Sequence, residues 1–264
     1  MISAIESGNY SRFENLLNEK KIYIIDMPAG TPWYFILFPP MGSMKTPLQA
    51  ASAKGDYRMV KSLLDKGASA NFSAIGEESP VNAVINSESG NKLSIIKLLV
   101  DHGADPEKKD SYGVSPILNV VYSSCYRAVD AKHNIYECDE QKMDDVVKIY
   151  CYLLKCVKEK EPVDPNTGET ALLISARMGN HKMLDYLINN QNMDINATDI
   201  DGRSALFLDP DKDSEDDPMI TIAKLLLNSG IDAELKDNNG QTAYQYAIDK
   251  GYRKLAITIK NSDN

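Results

Sequence analysis

The chain has 264 residues, 43% of them hydrophobic, which is enough to bury a core and excludes disorder of the whole chain. Its 38 acidic and 29 basic residues give a net charge of -9. That balance argues against a nucleic-acid partner, whose binding rests on Lys and Arg neutralising phosphates, and fits a protein partner with a basic surface. The longest apolar run, Trp33 to Pro40, is far short of the ~20 residues of a membrane span, so no membrane partner is expected.

Taken in chain order, residues 1-21 form a short helical segment with Ile2, Ile5, Phe13, Leu16 and Leu17 as its apolar positions. No basic stretch followed by an apolar one opens the chain, so no signal peptide is written there and the expected location is cytoplasmic. Residues 22-44 follow as an insertion with two apolar runs, Ile22 to Ile25 and Trp33 to Phe38, around a Pro/Gly-rich centre. This is a hairpin pattern. It carries the only Trp, and Trp33, Tyr34, Phe35 and Phe38 are candidate anchors for a partner, since Trp and Tyr are enriched at interface hot spots.

From Thr46 onward a unit recurs, marked by Thr46-Pro47-Leu48, Ser79-Pro80-Val81, Ser115-Pro116-Ile117, Thr170-Ala171-Leu172, Ser204-Ala205-Leu206 and Thr242-Ala243-Tyr244. The intervals between them are 33, 36, 55, 34 and 38 residues, a period of about 33 with insertions. In each, Thr or Ser is placed to cap a helix that Pro or Ala begins. A second helix ends in pairs such as Leu63-Leu64 and Leu98-Leu99, and Gly67, Gly103 and Gly230 then supply a left-handed C-terminal cap. Three units begin Asp-x-x-Gly, at Asp110, Asp199 and Asp237. The boundaries read as 1-21, 44-75, 76-110, 111-160, 164-199, 200-237 and 238-260, all in one domain of residues 1-264. Each helix pair has one apolar face and needs a neighbour to cover it.

These motifs resemble the ankyrin repeat. The resemblance implies an all-α repeat solenoid of about seven helix pairs with hairpin fingers, and a non-catalytic protein-binding role through the finger tips and the inner face of the first helices. Carried onto this sequence, the tips supply Phe72, Ile75, Tyr112, Asp199, Asp201, Asn238 and Asn239 as candidate contact residues. The family's His after the triplet is replaced by Gln49, Asn82, Leu118, Leu173, Phe207 and Gln245, which implies loss of a polar bridge between repeats. An alternative role is an inhibitor or immunity protein that occludes an enzyme or toxin. A monomer is expected.

Two further insertions break the repeat. Residues 123-145 read as a long loop with a short helical end. This stretch holds Cys125, His133 and Cys138, but the spacings among these and Cys151, namely 8, 5 and 13, are unlike a compact zinc site, and no catalytic signature accompanies the Cys and His. Cys125, Cys138, Cys151 and Cys156 read as reduced thiols. Residues 209-217 read as a solvated acidic loop that lacks the Gly and Glu of a calcium loop and ends with Asp217 capping a helix that Pro218 begins. With no GxGxxG, Walker, HExxH or GxSxG motif, no cofactor, metal or enzymatic activity is expected, the alternative being an enzyme with its chemistry in 123-145.

Overall fold

The computed structural model describes residues 1–19, 45–73, 78–123, 126–130, 133–137, 140–190, 193–210, 214 and 216–261. They divide into two compact units, Met1–Pro116 and Ile117–Asn264.

The N-terminal unit stacks three helix pairs: α1 (Ile2–Glu6) with α2 (Tyr10–Glu19), α3 (Pro47–Lys54) with α4 (Tyr57–Asp65), and α5 (Pro80–Ile85) with α6 (Lys92–Asp101). The helix starts are those the residue types dictate. The Gln49 backbone N–H donates to Thr46 Oγ1 at 3.1 Å while the Thr46 N–H donates to Gln49 Oε1 at 2.8 Å, a reciprocal capping box. Ser79 caps α5 through Asn82 N–H at 3.2 Å. α4 ends as expected: Gly67 turns left-handed at φ 87° and lets the Ala68 N–H reach Leu63 O at 3.0 Å. Leu48, Met59, Val60, Leu63, Ile95, Ile96 and Leu99 are fully buried between the pairs. α1 has no side-chain cap, which suits the shortened first repeat.

The C-terminal unit contains α7 (Pro116–Tyr122), α8 (Glu140–Cys156), α9 (Ala171–Arg177), α10 (His181–Asn190), α11 (Pro218–Asn228), α12 (Ala243–Lys250) and α13 (Arg253–Lys260). Thr170 and Thr242 cap α9 and α12, and Asp217 caps α11 by accepting from Met219 N–H at 2.8 Å, with Pro218 opening that helix. Leu172, Leu184, Leu187, Ile220, Ile222 and Leu226 fill the core.

Two expectations are corrected in this unit. The 123-145 stretch is not a plain loop: β1 (Tyr126–Asp130) and β2 (His133–Glu137) pair antiparallel, from Tyr126 opposite Glu137 to Asp130 opposite His133. Tyr126, Val129, Ile135 and Tyr136 give both strands the β-branched and aromatic content that favours pairing. The sixth repeat also lacks its first helix. Residues 204–210 make only tight turns, Phe207 N–H to Ser204 O at 3.1 Å and Leu208 N–H to Leu206 O at 2.9 Å. Pro210 disfavours the helical conformation at Asp209 and removes a donor, leaving too few residues for a helix. Ala205, Leu206 and Leu208 are buried nonetheless. The expected hairpin at 22-44 lies outside the described residues.

Candidate interaction surface

Three of the finger tips are each built around one Asp. Asp110 Oδ1 accepts from the N–H groups of Tyr112 and Val114, both at 2.9 Å. Asp199 Oδ1 does the same for Asp201 at 2.9 Å and Arg203 at 2.8 Å, and Asp237 Oδ1 for Asn239 and Gln241, each at 2.9 Å. The carboxylate thus closes a tight turn and leaves the residue beside it outside. Tyr112 is 76% exposed and Ile200 63% exposed for this reason.

Neighbouring fingers are tied together. In the N-terminal unit Asn71 accepts from Asp105 N–H at 2.7 Å and donates to Gly103 O at 2.7 Å, while Lys108 Nζ reaches Asn71 O and Ser73 Oγ, leaving Phe72 44% exposed beside them. In the C-terminal unit Ile200 N–H donates to Thr167 O at 3.0 Å, Asn238 N–H to Asp201 O at 2.8 Å and Asn238 Nδ2 to Ile200 O at 2.9 Å. The tips are therefore braced before any partner arrives, which lowers the entropy that binding must overcome.

Behind the fingers, at three repeats the residue before the cap pairs with one at the end of the helix that follows. Asn86 donates to Glu78 at 2.9 Å, Arg177 to Glu169, and Gln241 to Asp249 at 2.6 Å, each pair eight residues apart. Around Glu169 this grows into a cluster: the Tyr122 hydroxyl donates to Asp164 at 2.7 Å, Thr167 donates to Glu169 at 3.0 Å, and the Arg177 guanidinium lies 5.9 Å from the Tyr122 ring centre. Burial and the bond to Asp164 push the Tyr122 phenol above its ordinary value. Burial pushes Asp164 up, but donors from Tyr122 and Asn166 outweigh it and hold the carboxyl below its ordinary range. The proton stays on the phenol and the charge on the carboxylate, the protonation of a brace rather than of an acid–base pair. A second cluster joins Tyr246 to Asp209 at 2.7 Å, with Arg203 and Lys250 each within 5.6 Å of the Tyr246 ring centre.

An ankyrin-repeat family model matches residues 44–74 and another matches residues 167–197. The chain therefore contains ankyrin repeats, matched by family at two of its units. Human SH3 and multiple ankyrin repeat domains protein 2 is 26% identical over 218 residues, covering 82% of this chain and 10% of that protein. Zygote-specific protein 3 of Chlamydomonas reinhardtii is 34% identical over 115 residues, 44% of this chain and 26% of that one. The ankyrin-repeat chain thus spans about a quarter or less of the length of these curated relatives. Among solved structures, the ankyrin repeat protein EF0377 is 24% identical with a TM-score of 0.59, covering 81% of this chain and 96% of that one. An ankyrin repeat domain from Acinetobacter baumannii AYE is 20% identical with the same TM-score, covering 82% and 97%. A chain in the complex of a predatory endopeptidase from Bdellovibrio bacteriovorus with an immunity protein is also 20% identical with a TM-score of 0.59, covering 83% and 99%. These likenesses establish the fold, an ankyrin-repeat fold that is helical apart from the 126–137 hairpin.

Of the expected contact residues, Phe72, Tyr112, Asp199, Asp201, Asn238 and Asn239 all lie on ankyrin fingers, but they do different things there. Phe72 and Tyr112 present rings to solvent, whereas Asp199, Asn238 and Asn239 are engaged in holding turns and neighbours together, Asn239 Nδ2 reaching Asp237 Oδ2 at 3.2 Å. Trp33, Tyr34, Phe35, Phe38 and Ile75 fall outside the described residues, as do Cys125 and Cys138. Cys151 and Cys156 are free thiols. Among the described residues no three His, Cys, Asp or Glu side chains gather as metal ligands, and no helix is long and apolar enough to cross a membrane. The missing His is compensated at one repeat: Gln49 Nε2 donates to Glu78 O at 2.6 Å, restoring a bridge to the next repeat. Ile200, the apolar residue directly after Asp199 of Asp-x-x-Gly, joins Phe72 and Tyr112 as an exposed apolar side chain at a tip.

One electrostatic feature distinguishes this surface. Residues 193–249 carry thirteen acidic and four basic residues, so the whole net charge of -9 resides there and the rest of the chain is neutral. Asp194, Asp201, Asp209, Asp216, Asp232, Glu234 and Asp249 are exposed.

Proposed function

We propose that the chain is a non-catalytic protein-binding scaffold whose partner presents a basic surface to the fingers and inner face of residues 193–249. The observation that carries this reading is the confinement of the entire net charge to that stretch, around the exposed Ile200. Complementary charge steers encounter and selects partners, while the apolar side chain supplies contact area. Phe72, Ile75 and Tyr112, with Trp33, Tyr34, Phe35 and Phe38 of the 22-44 insertion, are the proposed anchors elsewhere on the chain.

The test is capture of the partner from source lysate on the immobilised chain, followed by titration of the purified pair. Binding should weaken steeply as salt rises from about 0.05 to 0.5 M, as exposed charge pairs are screened. Reversing Asp201 and Asp232 to Lys should weaken it as well. A partner that ignores both salt and charge reversal overturns the reading.

A second reading is that binding occludes an enzyme. It is supported by the shared fold with a chain in the endopeptidase–immunity protein complex. A single enzyme recovered in one-to-one ratio and silenced on binding favours it; a recovered partner that keeps full activity rules it out.

A further inference from the structure

The molecule shows at Leu48, Gln49 and Ser52 of α3 how one repeat covers the next. Leu48 and Ser52 have no exposure, and Gln49 donates to the carbonyl of Glu78, directly ahead of the following repeat's Ser79. The residues in register with Ser52, six after each cap, are Ile85, Val121 and Ala176, and all are buried. α12 repeats the pattern. Thr242 and Gln245 form the same capping box as Thr46 and Gln49, so Gln245 stands where Gln49 does and Ile248 where Ser52 does. Here nothing described covers them. Ile248 is 50% exposed, Gln245 is exposed, and the Gln245 amide nitrogen has no acceptor among the described residues. Beside them opens a cleft of about 320 Å³ whose walls include Tyr244, Gln245, Glu234, Lys236 and Lys260.

We propose that this face of α12 and α13 is a self-association surface, paired with the same face of a second copy of the chain, in place of the monomer expected from the sequence. A twofold contact requires a patch that is its own complement. This one qualifies on three counts. Ile248 and Tyr244 offer apolar surface to one another. The Gln245 amide both donates and accepts, so two of them can pair across the axis. Glu234 and the two lysines carry both signs in one cleft, so each copy can neutralise the other. The α1 segment exposes Ser3, Glu6 and Ser7, all polar, and offers no apolar complement to Ile248 and Tyr244. The contact is one repeat wide, at the small end of specific interfaces, so pairing is concentration-dependent. This proposal does not rest on the basic partner inferred above.

Sedimentation equilibrium on the 264-residue chain, from about 1 to 200 µM, tests it. The mass should move from one chain toward two as concentration rises, as expected for a small interface. Ile248→Glu should weaken pairing about 30-fold or more, the effect of losing a central anchor, without lowering the melting temperature, since the side chain is half-exposed. Ile257→Glu is the control. Ile257 is 54% exposed but stands on the outward side of α13, in register with Lys61 of α4, and its variant should pair normally. Lys260→Glu should weaken pairing and added Glu234→Lys should restore it, which keeps the test independent of folding at Ile248. Single-chain mass across the whole range, or equal effects of the two Ile variants, overturns the proposal.

Discussion

Arg177 grips Glu169 through two parallel hydrogen bonds, Nε to Oε1 at 2.6 Å and Nη2 to Oε2 at 2.9 Å. The two ends differ in environment, for the Glu169 side chain is 8% exposed and that of Arg177 45%. The pair fastens the loop ahead of α9 to the last turn of that helix, as Glu78 with Asn86 and Gln241 with Asp249 do elsewhere, but only here is one partner a buried charge. Arg177→Ala strands that charge with only the Thr167 and Tyr122 hydroxyls, so it should cost about 2 kcal/mol in denaturant unfolding. Arg177→Lys should recover less than half, because an ammonium cannot make the planar fork. A loss below about 0.5 kcal/mol for Arg177→Ala would show that the fork adds nothing beyond an exposed pair.

The pH dependence follows from Asp164 and Asp237. Burial pushes each carboxyl up, but hydrogen bonds outweigh it, from Tyr122 and Asn166 onto Asp164 and from Gln241 and Asn239 onto Asp237, so both titrate below the ordinary 3.8. A carboxyl whose folded value is depressed contributes stability above its unfolded value and loses it as pH falls through the folded one. The melting temperature should therefore hold from about pH 7 to 5 and drop below about pH 4. Asp164→Asn with Asp237→Asn should lower it at pH 7 yet flatten the acid limb; an unchanged acid limb would assign that limb to other groups. At the alkaline end Tyr122, Tyr150 and Tyr246 are held protonated chiefly by burial, and stability should fall as pH rises past about 10.

Gly55 and Gly251 end the first helices of two repeats in the same left-handed conformation, φ 68° and 81°. Their surroundings differ. A Cβ at Gly55 would sit 2.0 Å from Ser89 Cβ, whereas one at Gly251 meets nothing within 4 Å. Gly251→Ala should cost the ~1 kcal/mol of left-handed strain alone, and Gly55→Ala ~2–4 kcal/mol, because the packing against Ser89 must also open. Equal losses would mean that the Ser89 loop yields freely.

What the sequence disclosed was local chemistry. Thr46, Ser79, Thr170 and Thr242 cap helices because hydroxyl, Pro or Ala and the apolar period lie within four residues, and Asp217 with Pro218 is legible for the same reason. The sixth repeat misleads because Ser204-Ala205-Leu206 carries the start signal while Pro210, six residues on, removes the room for a helix. The hairpin at 126–137 escaped notice because no Asn-Gly or Asp-Gly marks its turn; strand pairing there depends on two segments meeting, which no single window shows. The Glu169–Arg177 pair spans a cap, so its eight-residue spacing matches neither helical nor strand periodicity. Finger residues were legible as a class, but Asp and Asn serve equally to close turns and to meet partners, and composition cannot separate the two uses.

That division gives the last prediction, a contrast between Ile200 and Asn238 on adjacent fingers. Asn238 Nδ2 donates to Ile200 O, and Gly202 leaves room for it: a Cβ there would lie 2.7 Å from Asn238 Oδ1. Asn238→Ala removes the side-chain bridge while keeping its N–H bond to Asp201, so it should cost about 1 kcal/mol of stability. Ile200 joins the same network through its backbone alone, N–H to Thr167 O and O from Asn238, and its side chain is 63% exposed. Ile200→Ser should therefore change stability by less than about 0.5 kcal/mol, as surface substitutions do. With the purified partner in hand the order should invert: Ile200→Ser weakens binding about 10-fold or more, while Asn238→Ala acts only through the loosened finger and by less. If Ile200→Ser binds normally, the tip is not a contact and the fingers serve only to hold the repeats in register; if it unfolds the chain, its side chain packs in a way the observed exposure does not allow.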